Sequence, residues 1–318
     1  MDATIFVVNE EPYCLWERDL AARNLEFLNG LDPDFFEYNL NVHVGAEDEK
    51  RASVAIRLSL HHCIETLFSL LGAFIQAPDC AYAWISKCSN SDLRSLVERI
   101  GKADPAIHTN LNVSTITWKT VAECVFAAYQ PETERQRTTI ERFSRLWAAL
   151  SSELTDQKLV DEYNSLKHGF RVRSGGFSLA VGLEHQRGVV PPPNEMRLLG
   201  QSTFGATFFK IETLWPNQKS RSVRSRQVSV NWSIERTILL HQLTQMSIAN
   251  VVSALKFLNG VPAQECRYVR PEKDEAFDEP WKHSTGITNM SFDDVIDDSN
   301  ARVVSKQELL DCLTKHEG

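Results

Sequence analysis

The stretch EDEKRASVAIRLSLHHCIETLFSLLGAFIQ, residues 47–76, decides how this chain folds. Its first turns are charged (Glu47, Asp48, Glu49, Lys50, Arg51), and from Val54 onward it is apolar on nearly every side, with Ile56, Leu58, Leu60, Ile64, Leu67 and Phe68 leading to Leu71, Phe74 and Ile75. A helix that is apolar all round must be covered by neighbours, so this one is expected at the centre of a helical protein. Against that background Arg57, His61 and Glu65 recur every four residues and form a polar ladder on one face, with His62 beside it. Burying such groups unpaired is costly, so the ladder is expected to meet polar partners on another helix.

A second polar helix lies downstream, ending in Asp161-Glu162-Tyr163-Asn164-Ser165-Leu166-Lys167-His168-Gly169-Phe170-Arg171. At helical pitch Asp161, Asn164 and His168 share one face. Lys167 and Arg171 crowd the C-terminal end, where the helix dipole favours cations, and Gly169 suits a left-handed cap. If this helix, expected over 156–168, packs beside the one over 47–76, then Arg57, His61 and Glu65 face Asn164 and His168.

The remaining segments read as mostly helical. A short strand is expected over Ile5–Val8, ended by Pro12, followed by an amphipathic helix drawn from Leu15, Leu20, Leu25, Phe27 and Leu28 and stopped at Asn29-Gly30. The segments 35–44 and 81–87 are ambiguous. Asn90 or Ser91 caps a helix through Ile100, and two more helices are expected over 115–129 and 132–153. After Gly169 the pattern changes to strand-like runs at 170–173, 177–182, 207–214 and 227–232, which together read as a small antiparallel sheet inserted before a last long helix from Ser233 to Asn259. Gly200 to Gly205 and Ser174 to Gly176 read as turns. Residues 260–318 are rich in Pro, Asp, Glu and Ser and read as an acidic, flexible tail, apart from a helix at Lys306 to Thr314. The expected organisation is therefore an N-terminal segment over 1–45, a helical bundle over 46–259 with the β insertion at about 170–232, and the tail.

Composition narrows the function classes. The net charge of −8 is concentrated after Gly260, where 13 acidic and 7 basic residues give −6, leaving −2 for residues 1–259. A chain with this balance is a poor candidate for sequence-independent DNA coating. The seven cysteines are odd in number and scattered without a C-x-x-C pair, so neither a disulfide framework nor a zinc knuckle is suggested. No basic n-region opens the chain, and the apolar run from Thr66 to Ala77 falls short of the roughly 20 residues a bilayer span needs, so a cytoplasmic protein without a membrane partner is expected.

The two polar helices carry the candidate chemistry. A histidine titrates near physiological pH, a carboxylate fixes its tautomer, and a cation binds a phosphate and stabilises charge that develops on it. That combination suffices for a ribose 2′-hydroxyl to attack its own phosphodiester, with no metal and no other cofactor. A carboxylate-bridged metal site fits less well, because such sites in helical bundles use Glu-x-x-His and this chain has none. The basic run Lys219-Ser220-Arg221-Ser222-Val223-Arg224-Ser225-Arg226 reads as a solvated hairpin tip, with phosphate binding as its functional alternative. In the tail, Phe292 to Asp298 reads as a disordered acidic stretch or a partner-binding peptide.

Tyr163-Asn164-Ser165-Leu166-Lys167-His168 resembles the signature of HEPN-type helical domains, in which an Arg is followed by a polar residue, often Asn, and a His closes the motif after three more residues. Asn164 and His168 match that pattern, while the position of the Arg holds Tyr163. The resemblance covers six residues and a compatible long helix upstream. It implies a helical bundle that dimerises and binds or cleaves RNA or a nucleotide without a metal, in a toxin or antiphage defence setting. In that reading His168 is the acid–base group, Asn164 orients it or the phosphate, and Arg57, Lys167 and Arg171 supply charge, with His61, Glu65 and Tyr163 beside them. The competing expectation is a non-catalytic interaction or scaffold protein in which the same side chains hold two helices together.

Overall fold

Local capping signals set most of the element boundaries. The computed structural model describes residues 3–168, 171–213, 223–293 and 304–315. The chain opens with a hairpin, β1 (Ala3–Val8) and β2 (Glu11–Trp16), whose two-residue turn places Asn9 at φ +55°. Asn tolerates that left-handed conformation better than most residues. Helix α1 (Leu20–Gly30) starts at Asp19, whose carboxylate accepts from the Ala22 amide, and α2 (Phe35–His43) follows. Leu15, expected in the first helix, therefore lies in β2. There Tyr13 and Leu15 turn toward the core while Cys14 and Trp16 are exposed, a period of two that overrides the helical spacing.

The long apolar stretch forms α3 (Glu49–Gln76), capped by Asp48 through the Arg51 amide. Helices α4 (Ala81–Lys87), α5 (Asn90–Gly101), α6 (Trp118–Val125), α7 (Thr133–Thr155) and α8 (Gln157–Leu166) follow, with reciprocal capping boxes Ser89/Asp92 on α5 and Thr117/Thr120 on α6. Then come β3 (Val172–Ser174), β4 (Ser178–Val181), β5 (Arg197–Gln201), β6 (Gly205–Thr213), β7 (Val223–Asn231), the long α9 (Ile234–Leu258), β8 (Asn289–Asp293) and α10 (Lys306–Thr314). The protein is mainly helical, with small antiparallel sheets.

The chain divides into two compact units, one of residues 1–163 and 234–283, the other of 164–233 and 284–318. In the first, α3 packs along α9, and Leu60, Leu67, Phe68 and Phe74 of α3 share one buried cluster with Leu240, Val251 and Leu255 of α9 and Phe143 and Trp147 of α7. By length and composition α3 and α9 could each cross a membrane, but 67% of each apolar window is buried inside the protein. The N-terminal hairpin belongs to this unit. Gln76 at the end of α3 accepts from the Asn9 amide at 2.8 Å and donates to the Asn9 carbonyl at 3.1 Å, and the Trp84 indole donates to the Val7 carbonyl at 3.0 Å.

Residues 260–283, assigned by composition to the tail, also pack here. The Tyr268 ring stands 5.9 Å from Phe126, and Phe277 meets Phe143 edge-on at 5.0 Å. Averaged composition hides such anchors, because a few aromatic side chains suffice to seat an otherwise polar segment.

In the second unit a four-stranded antiparallel sheet has the order β3-β6-β7-β8, and β4 pairs separately with β5. Part of the expected tail, Asn289 to Asp293, is thus the edge strand of this sheet. The Gly200 turn is also a correction: Gly200 lies in β5 and bridges Gly286, and a Cβ there would stand 2.5 Å from the Ile287 amide nitrogen. Gly169, Lys219, Arg221 and residues 294–298 lie outside the described residues.

Candidate functional site

The ladder on α3 is answered from α8, by different residues from those the shared face of Asp161, Asn164 and His168 suggests. The inward face of α8 is Leu159, Glu162 and Leu166, spaced three and four apart. Glu162 is 2% exposed, against 9% for Arg57 and 8% for His61. Its Oε1 accepts from Arg57 Nε at 2.6 Å and from His61 Nε2 at 3.2 Å, and its Oε2 accepts from an Arg57 terminal nitrogen at 3.3 Å. One turn along α3, the Tyr163 hydroxyl donates to Glu65 Oε2 at 2.8 Å, and the Tyr163 ring stacks on His61 with centroids 5.4 Å apart.

The electrostatics follow from this geometry. Burial would raise the Glu162 carboxyl, but the Arg57 guanidinium and the His61 hydrogen bond outweigh it and hold the group at about 2. Burial works against the Arg57 charge, yet Glu162 and the nearby Glu153 carboxylate keep its pKa above the ordinary value. Burial, then the hydrogen bond to Glu65, raise the Tyr163 phenol. Because Glu162 is ionised it can only accept, so His61 carries its proton on Nε2.

The cluster extends to α7 and α9. Glu153 accepts from Arg236 at 2.6 Å, and the Arg236 guanidinium lies over the Trp281 ring at 4.9 Å. Sequence reading missed Glu162, Glu153 and Arg236. The available signal was the Leu159–Glu162–Leu166 stripe, an acid set in an otherwise apolar face.

Arg57, His61, Glu65 and Tyr163 are therefore brought together, with Glu162 at their centre. Asn164, Lys167, His168 and Arg171 are exposed and belong to the other compact unit. Of the basic run, Arg224 and Arg226 lie within strand β7, where both donate to Glu212, at 3.0 and 2.9 Å. The hydrogen bond from Arg224 first, then the charge of Arg226 and the hydrogen bond and charge of Lys210, hold the Glu212 carboxyl below its usual range. Among the described residues no group of three or more His, Cys, Asp and Glu side chains is placed to hold a metal ion.

A second buried histidine lies on α9. His241 is fully buried, shares a 2.9 Å hydrogen bond with Ser59 of α3, and leaves Nδ1 without a partner among the described residues. Burial pushes its pKa down to about 4. The folded value lies below the unfolded one, so the unfolded chain binds the extra proton and stability falls as pH drops from about 6.5 toward 4, by at most about 3 kcal/mol. Urea unfolding of wild type and His241→Gln at pH 7.5 and 5 checks this. The wild type should lose stability over that interval and the variant should lose clearly less; equal losses would remove His241 as the cause.

Comparison of the chain with family models, curated proteins and solved structures gives no match.

Proposed function

We propose that this chain is a non-catalytic interaction protein, a helical bundle in which the polar pair of α3 and α8 is a structural clamp. The observation that supports this reading most is the saturation of Glu162. An acid–base residue must pass a proton to a substrate within hydrogen-bond reach, whereas Glu162 spends both oxygens on Arg57 and His61 and is 2% exposed. The interaction role is supported by α2, which buries Phe36 and Leu40 on one side and exposes Phe35, Tyr38 and Val42 at helical spacing on the other. Such a stripe suits a protein partner, including a second copy of the chain.

The exposure of Asn164, Lys167 and His168 at the end of α8 favours a second reading, a HEPN-like protein acting on RNA or a nucleotide. In that reading the α3–α8 clamp positions α8 and His168 does the chemistry. One experiment separates the two. Purified protein is incubated with mixed RNA in EDTA, wild type beside His168→Ala, and the expected result is no cleavage by either. Metal-independent cleavage by the wild type that disappears in His168→Ala would replace the interaction reading with the nuclease one.

A further inference from the structure

We propose that the cavity between α2, α9 and residues 265–269 is a binding site for a small amphipathic anion, a medium-chain carboxylate. The cavity lies within one compact unit and encloses about 470 Å³. That is inside the range of about 300–1,000 Å³ typical of small-molecule pockets. Its apolar lining comes from Leu31 and Leu40 on one side, Met246, Ala249 and Val252 of α9, and Val269 opposite.

The wall opposite α9 is fixed in advance. Asn250, fully buried on α9, accepts from the Val269 amide at 2.7 Å and donates to the Val269 carbonyl at 2.8 Å, satisfying both backbone groups as a neighbouring strand would. Ser253 donates to the Arg267 carbonyl at 2.7 Å. A ligand entering this space need not order the segment first, which removes part of the entropy cost of binding.

The charges give the ligand its sign and direction. Lys256, in the last turn of α9, and the exposed Arg267 both line the cavity, and neither enters an ion pair among the described residues. Three carboxylates line it too: Glu265 near the cations, Asp34 at the start of α2 and Glu37 within it, of which Glu37 accepts from Gln245 at 3.1 Å. Gln245 precedes Lys256 by eleven residues, about 16 Å along the helix axis. An anionic headgroup is therefore repelled at the Glu37 end and drawn to Lys256 and Arg267, with its chain along Met246, Ala249 and Val252. Two cations line that end of the cavity against the single Glu265.

The test is calorimetric titration with dodecanoate, with dodecyltrimethylammonium as a control of opposite charge. The expected result is saturable binding of one dodecanoate and none of the cationic chain. Lys256→Ala should weaken binding by about tenfold or more, the usual effect of losing one charge-assisted hydrogen bond. Ala249→Trp, which fills the cavity, should abolish it. Because a tryptophan there could disturb folding, Lys256→Glu serves as a second variant, expected to melt like the wild type while losing dodecanoate. Absence of saturable uptake, equal uptake of both chains, or unchanged affinity in Lys256→Glu would overturn the proposal. A dimer that dissociates on Lys256→Glu without any dodecanoate uptake would assign the cavity to a second copy of the chain and overturn it as well.

Discussion

Glu162→Ala is expected to lower the unfolding free energy by about 3–5 kcal/mol, the usual cost of removing one partner from a buried ion pair. The loss is large because the substitution removes the carboxylate that two guanidinium nitrogens of Arg57 bond, in a site where Arg57 is 9% exposed and has given up its hydration. The pair itself need not be strongly stabilising, since desolvating two charges offsets much of their attraction. Arg57→Met combined with Glu162→Leu is therefore expected to be far milder than either single change, leaving His61 to lose one hydrogen bond. Urea unfolding of the three variants measures this. Single variants that lose less than about 1 kcal/mol would show that α8 is not held through Glu162.

The same group sets an acid limit. Its folded carboxyl, at about 2, lies below the ordinary value of 4.5, so its contribution is complete above about pH 4.5 and disappears as pH falls toward 2. The His241 loss occupies the higher window, from about 6.5 to 4, so the two groups can be told apart in one pH series.

Trp84→Ala is expected to cost about 3–5 kcal/mol, through lost burial and the cavity left behind. Trp84 is fully buried between the hairpin and α3, and its indole donates to Val7 and to Gln76, at 3.0 and 3.2 Å. Its six-membered ring abuts Gly72, where a Cβ would overlap the ring. This explains a glycine in the interior of a helix, a position that ordinarily costs about 1 kcal/mol relative to alanine. Gly72→Ala should destabilise by about 1–3 kcal/mol in the wild type and by much less in the Trp84→Ala background, where the ring is absent. Thermal unfolding of the two single variants and the double variant gives the coupling. Strict additivity would mean that Gly72 and Trp84 do not share the same space.

Local patterns carried much of the fold. The all-round apolar character of residues 54–75 identified α3, and Ser305 with Glu308 forms the capping box of an α10 whose limits, Lys306 to Thr314, match the sequence expectation. Both signals are short-range: a run of side chains at helical spacing, and a hydroxyl three residues from a carboxylate. The strand β5, and the pairing of Asn289 to Asp293 with β7, were not legible, because each depends on a partner distant in the chain. The seating of Tyr268 and Phe277 against Phe126 and Phe143 is of the same kind.

The candidate site divides along the same line. The sequence by itself determined that Arg57, His61 and Glu65 share a face of a buried helix and that buried polar groups must find partners. It did not determine the rotational phase of α8. Asp161, Asn164 and His168 form one three-to-four-spaced face, and Leu159, Glu162 and Leu166 form another, about 160° away around the helix. Only the tertiary structure chose between them. It buried Glu162 and Leu166, half-buried Leu159, and placed the single carboxylate of that face between Arg57 and His61, where its charge is compensated, leaving Asn164 exposed to water.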